Sequence, residues 1–283
     1  MHLGRIDKQG FTLIELSIVL VIIGLIVGGI LVGQELIRTA QTRATIAQIE
    51  KYNTAVNTFR NKFDALPGDL PVNLVTEFAF PVVPASLRSA SECPPNYNGI
   101  IEGCNFTSSG VADGLTSGEA AYFWEDLSSN TGLIEGGFNF GGNVTYGFAS
   151  ASASALPLVL PVAKLGSNIY IYVWTDGSYN YFGVSNVTSI DNNGSLRGNA
   201  GIRVSQAYNI DKKIDDGVPL TGSVTAQYEN WSGPPPGNVW SASASSGSSV
   251  TCSDSGGSTG AQQYSMEIDN GNDLNCGLSF RFQ

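Results

Sequence analysis

The strongest pattern in the chain is an apolar run near its N-terminus that continues into an amphipathic helix. Residues 11–33 contain a single charge, Glu15, and residues 16–33 contain none. A run of this length is sufficient to cross a membrane as a helix. Beyond it, apolar residues recur three and four positions apart, which places them on one helix face, at Ile49, Tyr52, Val56, Phe59 and Phe63. The pattern predicts one helix over residues 11–63, with a transmembrane segment at 11–33 and an amphipathic continuation at 34–63.

The remainder of the chain, residues 64–283, predicts a β-rich head. Pro67-Gly68-Asp69 ends the long helix, because proline and glycine both disfavour its continuation. Runs rich in β-branched and aromatic residues predict strands at 144–149, 156–162, 169–174, 179–184, 201–204, 224–228, 264–268 and 278–282. A segment rich in serine, glycine and proline, residues 231–260, predicts a flexible surface loop.

Two short helices are predicted within the head. The first covers residues 116–129, where Thr116 and Glu119 have the spacing of a capping box. The second covers residues 205–216 and directs three apolar side chains inward, those of Ala207, Ile210 and Ile214.

A short basic leader precedes the apolar run. It contains Arg5 and Lys8 and leads into the sequence Gly-Phe-Thr-Leu-Ile-Glu at residues 10–15. A secretory signal peptide has its small-residue cleavage site after the apolar core, whereas here the glycine precedes the core. The arrangement resembles the class III leader of type IV prepilins and pseudopilins. The alternative is a signal anchor that contains this hexapeptide by chance.

The resemblance implies a defined processing and assembly chemistry. A prepilin peptidase would cleave after Gly10, and the new N-terminal residue, Phe11, would be methylated. Glu15 would then neutralise the amine of Phe11 on a neighbouring subunit as a filament assembles. The alternative for Glu15 is a carboxylate near the cytoplasmic interface, tolerated through snorkelling and the positive end of the helix dipole.

The resemblance also implies a fold and a set of partners. The fold is α+β, with the long N-terminal helix packed on a C-terminal head that contains an antiparallel β-sheet. The implied partners are prepilin peptidase, copies of the chain or other pilin-like subunits, and inner-membrane assembly machinery. The chain would cross the inner membrane once, with its N-terminus in the cytoplasm and its head in the periplasm or outside the cell.

The leader is shared by several kinds of protein, so the function has alternatives. The favoured one is a structural subunit of the type II secretion pseudopilus. A type IV pilus subunit, major or minor, is the first alternative, although major pilus subunits usually have proline where this chain has Val32. The second alternative is a membrane-anchored binding domain that does not polymerise.

Charge is distributed unevenly along the chain, whose net charge is −10. Residues 38–62 contain five basic residues and one acid, whereas residues 63–283 contain seven basic residues and twenty acids. A basic stem and an acidic head could favour packing between subunits, and an acidic surface kept soluble by its charge is an equally good interpretation. In either case the head is not expected to bind nucleic acid, which requires a basic surface.

The four cysteines predict two disulfides. They lie at Cys93, Cys104, Cys252 and Cys276, and their even number in an exported domain favours pairing. Three pairings are formally open. Proximity in sequence favours Cys93–Cys104 and Cys252–Cys276.

The sequence does not favour an enzyme. Its one histidine, His2, lies in the leader, so the mature chain lacks the base of a histidine-dependent triad and a histidine metal ligand. The adjacent acids Glu125-Asp126 and Asp215-Asp216 are interpreted as charges on helix surfaces that point in different directions. No cofactor is expected except calcium, for which residues 191–194 and 269–273 offer oxygen ligands, although such Asn/Asp/Gly clusters primarily form turns.

Overall fold

The structure is a computed structural model. It describes residues 12–78, 80, 96–103, 118–138, 151–191, 194–230, 239–256 and 261–282. The chain divides into two compact units, Met1–Ala40 and Gln41–Gln283. The predicted strand at 144–149, together with Gly10, Phe11, Cys93 and Cys104, lies outside the described residues.

The described part of the chain contains five α-helices and ten strands. The helices are α1 (Leu13–Phe63), α2 (Val72–Glu77), α3 (Gly118–Glu125), α4 (Leu156–Val159) and α5 (Val204–Ile214). A π-helical turn, Asp126–Asn130, follows α3 directly. The strands are β1 (Ile169–Thr175), β2 (Asn180–Ile190), β3 (Leu196–Asn199), β4 (Val224–Thr225), β5 (Tyr228–Glu229), β6 (Val239–Trp240), β7 (Ser243–Ala244), β8 (Ser253–Asp254), β9 (Gln263–Tyr264) and β10 (Leu278–Arg281).

The α+β fold predicted from the sequence is confirmed. α1 is continuous, and within the unit Gln41–Gln283 its predicted apolar stripe is buried, with Phe59 fully so. The central sheet has the order β1-β2-β10-β4, with β3 also paired to β2, and every pairing in it is antiparallel. The long helix and the antiparallel sheet are therefore both present.

An aromatic cluster joins α1, α3 and the sheet. The ring of Tyr52 lies 5.0 Å from that of Trp124 and 6.2 Å from that of Phe182, measured between centroids. Phe182 also stacks on Phe282, with 4.2 Å between ring centroids. Large aromatic side chains bury 150–250 Å² each, so this cluster contributes much of the apolar burial that holds the helix on the sheet.

A polar contact sets the position of α1 along the head. The side-chain amide of Gln48 donates to the carbonyl of Val162 at 3.0 Å, and its oxygen accepts from the backbone N–H of Lys164 at 3.1 Å. Gln48 thus satisfies the backbone at the edge of the sheet, where Val162 forms an isolated bridge to Tyr170.

The prediction of a strand at residues 156–162 is wrong in its first half. Residues Leu156–Val159 form the short helix α4, with Pro157 in its first turn. Proline is compatible with that position because the first helical N–H groups have no intrahelical partner. A short apolar run is compatible with a buried strand and with a buried helical turn, so its composition does not discriminate between the two.

The prediction of a flexible surface loop at residues 231–260 is wrong for residues 239–256. This part contains the strands β6, β7 and β8, and Cys252, Ser253 and Asp254 are buried. Cys252 is joined to Cys276 by a disulfide, which is the pairing that sequence proximity favoured. The cross-link and the hydrogen bonds of Asp254 supply the order that the small polar residues do not provide by themselves.

The boundaries of the other predicted elements are partly wrong. α5 matches the predicted second helix, and Ala207 and Ile210 are buried, but Ile214 is 39% exposed because the helix ends there. Residues 201–204 supply only an isolated bridge from Ile202 to Cys276. The strand β3 was not predicted, because its sequence Leu-Arg-Gly-Asn has no strand composition.

Candidate functional site

The first described residues form a capping box at the start of α1. The backbone N–H of Thr12 donates to Oε2 of Glu15 at 2.8 Å, and the Thr12 hydroxyl donates to the same oxygen at 2.7 Å. In return, the backbone N–H of Glu15 donates to Oγ1 of Thr12 at 3.3 Å. This reciprocal arrangement satisfies donors at the helix start that would otherwise be unpaired. The sequence signal of a capping box, Thr-x-x-Glu, is present at residues 12–15.

The capping box bears on the role predicted for Glu15. One carboxylate oxygen, Oε2, is engaged by Thr12, and the side chain is exposed. The carboxylate is therefore oriented toward the end of the helix at which cleavage after Gly10 would create a new amine. Its pairing with Phe11 of a neighbouring subunit stays a prediction.

The first part of α1 exposes an apolar surface. Large side chains along it are at least half exposed within the unit Met1–Ala40, among them Leu13 at 89% and Leu25 at 74%. By length and composition α1 is able to cross a membrane. Burial of this surface requires lipid or other apolar helices.

Glycines do not interrupt α1 in this span. The helix continues through Gly24, Gly28, Gly29 and Gly33, and a Cβ atom at any of the four would meet no atom within 4 Å. These positions are open to the close approach of another helix.

The end of α1 is joined to the head by buried carboxyl groups. After Phe63 the chain turns through Pro67-Gly68-Asp69, and the backbone N–H of Gly68 donates to Oδ2 of Asp126 at 2.8 Å. Asp69, Glu119 and Asp126 are 1%, 4% and 0% exposed. The interpretation of Glu125-Asp126 as surface charge is therefore wrong, because both residues are buried and Asp126 serves as a hydrogen-bond acceptor for the turn.

Asp69 and Glu119, called the carboxyl pair below, hold a segment of the head against this turn. Asp69 accepts from the backbone N–H groups of Tyr97 at 2.7 Å and Gly99 at 2.9 Å. Glu119 accepts from those of Asn96 at 3.1 Å and Glu102 at 2.9 Å. Burial raises the pKa of Glu119 to about 9, and the neighbouring Asp69 charge acts in the same direction. Burial also raises the pKa of Asp69.

Thr116 of the predicted capping box lies outside the described residues, and the Glu119 carboxylate is directed at residues 96 and 102. A cleft of about 240 Å³ lies beside the carboxyl pair. It is lined by Arg60, Asp64, Ala65, Leu66, Asp69, Tyr97, Asn98 and Gly99.

A second group of acids lies at the C-terminal end of α5, with one member in the helix and two after it. The carboxylate oxygens of Asp211, Asp215 and Asp216 lie within 4.8 Å of one another. The prediction that Asp215 and Asp216 diverge on a helix is wrong, because α5 ends at Ile214 and both residues follow it. Each carboxylate accepts from protein donors, among them the Tyr264 hydroxyl at 2.7 Å for Asp211 and the Thr221 hydroxyl at 2.7 Å for Asp216.

Of the two candidate calcium segments, the second contains a turn and the first is described only at its ends. Asp191 accepts from the backbone N–H of Ser195 at 3.0 Å and from the Arg197 guanidinium at 3.2 Å, while residues 192–193 lie outside the described residues. Residues Asp269–Gly271 form a 3-10 turn. Among the described residues of these segments, Oδ2 of Asp273 is buried without a hydrogen-bond partner. Calcium binding stays a prediction.

Comparison with known families bears on the N-terminal segment. Residues 5–31 match the family model described as the prokaryotic N-terminal methylation motif. The chain therefore carries a class III leader of the type IV pilin kind, and the match includes Gly10, Phe11 and Glu15. Searches of the curated proteins and of the solved structures find no match.

The match and the apolar helix together support a type IV pilin-like protein that is anchored in a membrane. A leader of this kind implies processing by a prepilin peptidase and participation in pilin-type assemblies in general.

Proposed function

We propose that this protein is a structural subunit of a type II secretion pseudopilus. The observation that carries the proposal is the methylation motif at residues 5–31, followed by an apolar helix whose side chains are exposed along the span. Such a surface is suited to lipid before assembly and to neighbouring helices after it. In this proposal the protein has no catalytic role, and its partners are prepilin peptidase, other pilin-like subunits and the inner-membrane assembly machinery.

The first test concerns processing. Gly10→Val replaces the small residue before the proposed cleavage site with a branched one, and we expect it to leave the leader on the chain. Intact-mass measurement of the native protein should show loss of residues 1–10 and one added methyl group on Phe11, and the variant should show neither. A wild-type chain that keeps its leader in cells with an active prepilin peptidase would contradict the proposal.

The second test concerns Glu15, which has both a capping role and a proposed charge-pairing role. Glu15→Gln separates them, because a glutamine at this position of a capping box still reaches the Thr12 N–H but carries no charge. We expect the variant to insert into the membrane and to be cleaved, yet to be lost from filaments. A charged group in an apolar span is costly unless it has a partner, which is the physical reason to expect one.

Glu35→Gln is the matched control for this test. Glu35 lies on the same helix, is exposed and pairs with Arg38 at 3.8 Å, three residues away. We expect this variant to assemble as well as the wild type. If Glu15→Gln also assembles normally, the charge of Glu15 has no role in assembly and the pairing mechanism is wrong.

A deletion strain distinguishes the pseudopilus from the alternatives. Loss of protein secretion with intact surface pili supports the pseudopilus. Loss of surface pili with intact secretion would instead identify a pilus subunit. A processed or unprocessed chain that remains monomeric in the membrane, with neither defect, would identify an anchored domain that does not polymerise.

A further inference from the structure

An asparagine–glycine pair, Asn98-Gly99, lies beside the cleft at the end of α1. In a pair of this kind the backbone nitrogen of the glycine can attack the side-chain carbonyl carbon of the asparagine, because glycine has no side chain that hinders the approach. The sequence contains two further pairs, Asn193-Gly194 and Asn270-Gly271. The first and the last of the three differ in the group that accepts the glycine N–H.

The Asn98 side chain is folded back onto the chain that follows it. Its Oδ1 accepts from the backbone N–H of Ile100 at 2.7 Å, which forms an Asx turn. Cγ of Asn98 and the backbone nitrogen of Gly99 are the two ends of a five-atom ring that one new bond would close. A turn that holds this ring folded lowers the entropic cost of bringing the two atoms together.

A carboxylate lies at the attacking nitrogen. Oδ2 of Asp69 accepts from the N–H of Gly99 at 2.9 Å, and its Oδ1 accepts from the N–H of Tyr97 at 2.7 Å. Two backbone donors favour the ionised form of this carboxyl group. An amide nitrogen becomes a nucleophile only as it loses its proton, so Asp69 is placed to act as the base for Gly99.

Two further contacts act on the side-chain amide of Asn98. The N–H of Ile100 lies at the oxygen that becomes negative when the carbonyl carbon is attacked, so it stabilises that charge. The leaving nitrogen, Nδ2, donates to Oε2 of Glu102 at 3.3 Å, which fixes the orientation of the amide. Asn98 is exposed, so water has access to it.

The pair Asn270-Gly271 has a carbonyl in place of the carboxylate. The N–H of Gly271 donates to the backbone carbonyl of Ile268 at 2.8 Å, and a carbonyl oxygen does not take up the proton. Asn270 is exposed, as Asn98 is. The two pairs therefore have the same residues and similar access to water but differ in the group at the glycine nitrogen. Asn193 of the remaining pair lies outside the described residues.

We propose that Asn98-Gly99 is a site of self-catalysed deamidation, in which Asp69 is the general base. The Gly99 nitrogen bonds to Cγ of Asn98 as its proton passes to Asp69, and the bond from Cγ to Nδ2 then breaks. Asp69 returns the proton through water to the leaving nitrogen, which departs as ammonia and leaves a succinimide ring. Water opens this ring at either carbonyl, which gives aspartate or isoaspartate at position 98.

The reaction changes the surface beside the end of α1. It replaces a neutral amide by a carboxylate in a cleft that already contains Asp64 and Asp69. The isoaspartate product also adds a methylene group to the backbone. Both changes oppose the contacts that Asp69 makes with Tyr97 and Gly99, so the segment loosens irreversibly as the protein ages. The proposal concerns the head alone and does not depend on polymerisation.

Peptide mapping of the full-length protein in detergent tests the proposal. The protein is incubated at neutral pH, folded or unfolded in urea, and mass spectrometry follows the conversion of Asn98 and Asn270 with time. In urea the two pairs should react at similar rates. In the folded protein we expect Asn98 to react at least about tenfold faster than Asn270, and faster than Asn98 reacts in urea.

Asp69→Asn is the decisive variant, because it removes the base but keeps an oxygen that can accept from Gly99. We expect the rate at Asn98 to fall at least about tenfold. Asp64→Asn is the matched control, since it makes the same change in the same cleft at a carboxylate that accepts from the Tyr97 hydroxyl. We expect this control to leave the rate at Asn98 unchanged.

If Asp69→Asn does not fold, the comparison of the folded and unfolded wild type decides. A lower rate at Asn98 in the folded protein than in urea would show that the turn protects the pair, and it would overturn the proposal. A rate that is unchanged in a folded Asp69→Asn variant would show that Asp69 is not the base, with the same consequence.

Discussion

Reduction of the disulfide between Cys252 and Cys276 should destabilise the head substantially. The bond joins residues separated by 24 positions and ties the residue before β8 to a residue two positions before β10. In the chain-entropy model, a cross-link that closes a loop of this length stabilises the folded state by about 3.5 kcal/mol at 25 °C. For a domain of this size, that corresponds to a fall in the melting temperature of about 7–14 °C.

The measurement has to isolate this bond from the other two cysteines. We would use a full-length chain carrying Cys93→Ser and Cys104→Ser, and compare its urea unfolding in detergent with and without reductant. The fluorescence of Trp124 and Trp174, which are 0% and 3% exposed, reports unfolding of the core. Reduction leaves both cysteine side chains in the protein. The comparison therefore measures the effect of the cross-link and not the effect of a change in side-chain volume.

The expected difference in the free energy of unfolding is about 3.5 kcal/mol, with the oxidised form more stable. A difference below about 1 kcal/mol would refute the argument that the cross-link orders this region by restricting the unfolded chain. It would show that β7, β8 and β9 are held by their own hydrogen bonds, including that from the Ser265 hydroxyl to Asp254 at 2.7 Å.

Two further predictions concern backbone and pH. Gly68→Ala should destabilise the head by more than about 3 kcal/mol, because φ is +86° and the new Cβ would lie 2.1 Å from the carbonyl oxygen of Glu119. The matched control is Gly99→Ala, where φ is +80° but the new Cβ would meet no atom within 4 Å. This variant should lower the free energy of unfolding by only about 1–2 kcal/mol in the same urea assay. Burial raises the pKa of Asp211 to about 6 despite the opposing hydrogen bond from Tyr264, so its contribution to stability is present below about pH 4 and is lost as pH rises through 6. Asp211→Asn should remove this pH dependence, and equal pH profiles for the variant and the wild type would contradict it.

The sequence by itself determined the features that repeat along the chain. The stripe from Ile49 to Phe63 was predicted because a helix places residues three and four apart on one face, whatever packs against it. The strand β1 was predicted because its residues are almost all β-branched or aromatic. The leader was recognised because peptidase recognition depends on a short contiguous sequence, and the match at residues 5–31 agrees with it.

The secondary structure of short segments could not be predicted from their composition. Leu156–Val159 is a helical turn, and residues 239–256 contain three strands, because contacts with distant parts of the chain select these conformations. The Cys252–Cys276 bond, for example, supplies order to a segment whose local sequence favours a loop.

The burial of the carboxyl groups and their hydrogen-bond partners are determined by the tertiary structure alone. Gly68 and Asp126 are 58 positions apart, and Asp69 and Tyr97 are 28 apart. The sequence predicts Glu119 as part of a capping box and Glu125 and Asp126 as surface charges, since an isolated acid is normally solvated. Only the fold brings the backbone donors of residues 96 and 102 to Glu119 and that of Gly68 to Asp126. A carboxyl group is buried at low cost only where such donors replace the water it loses.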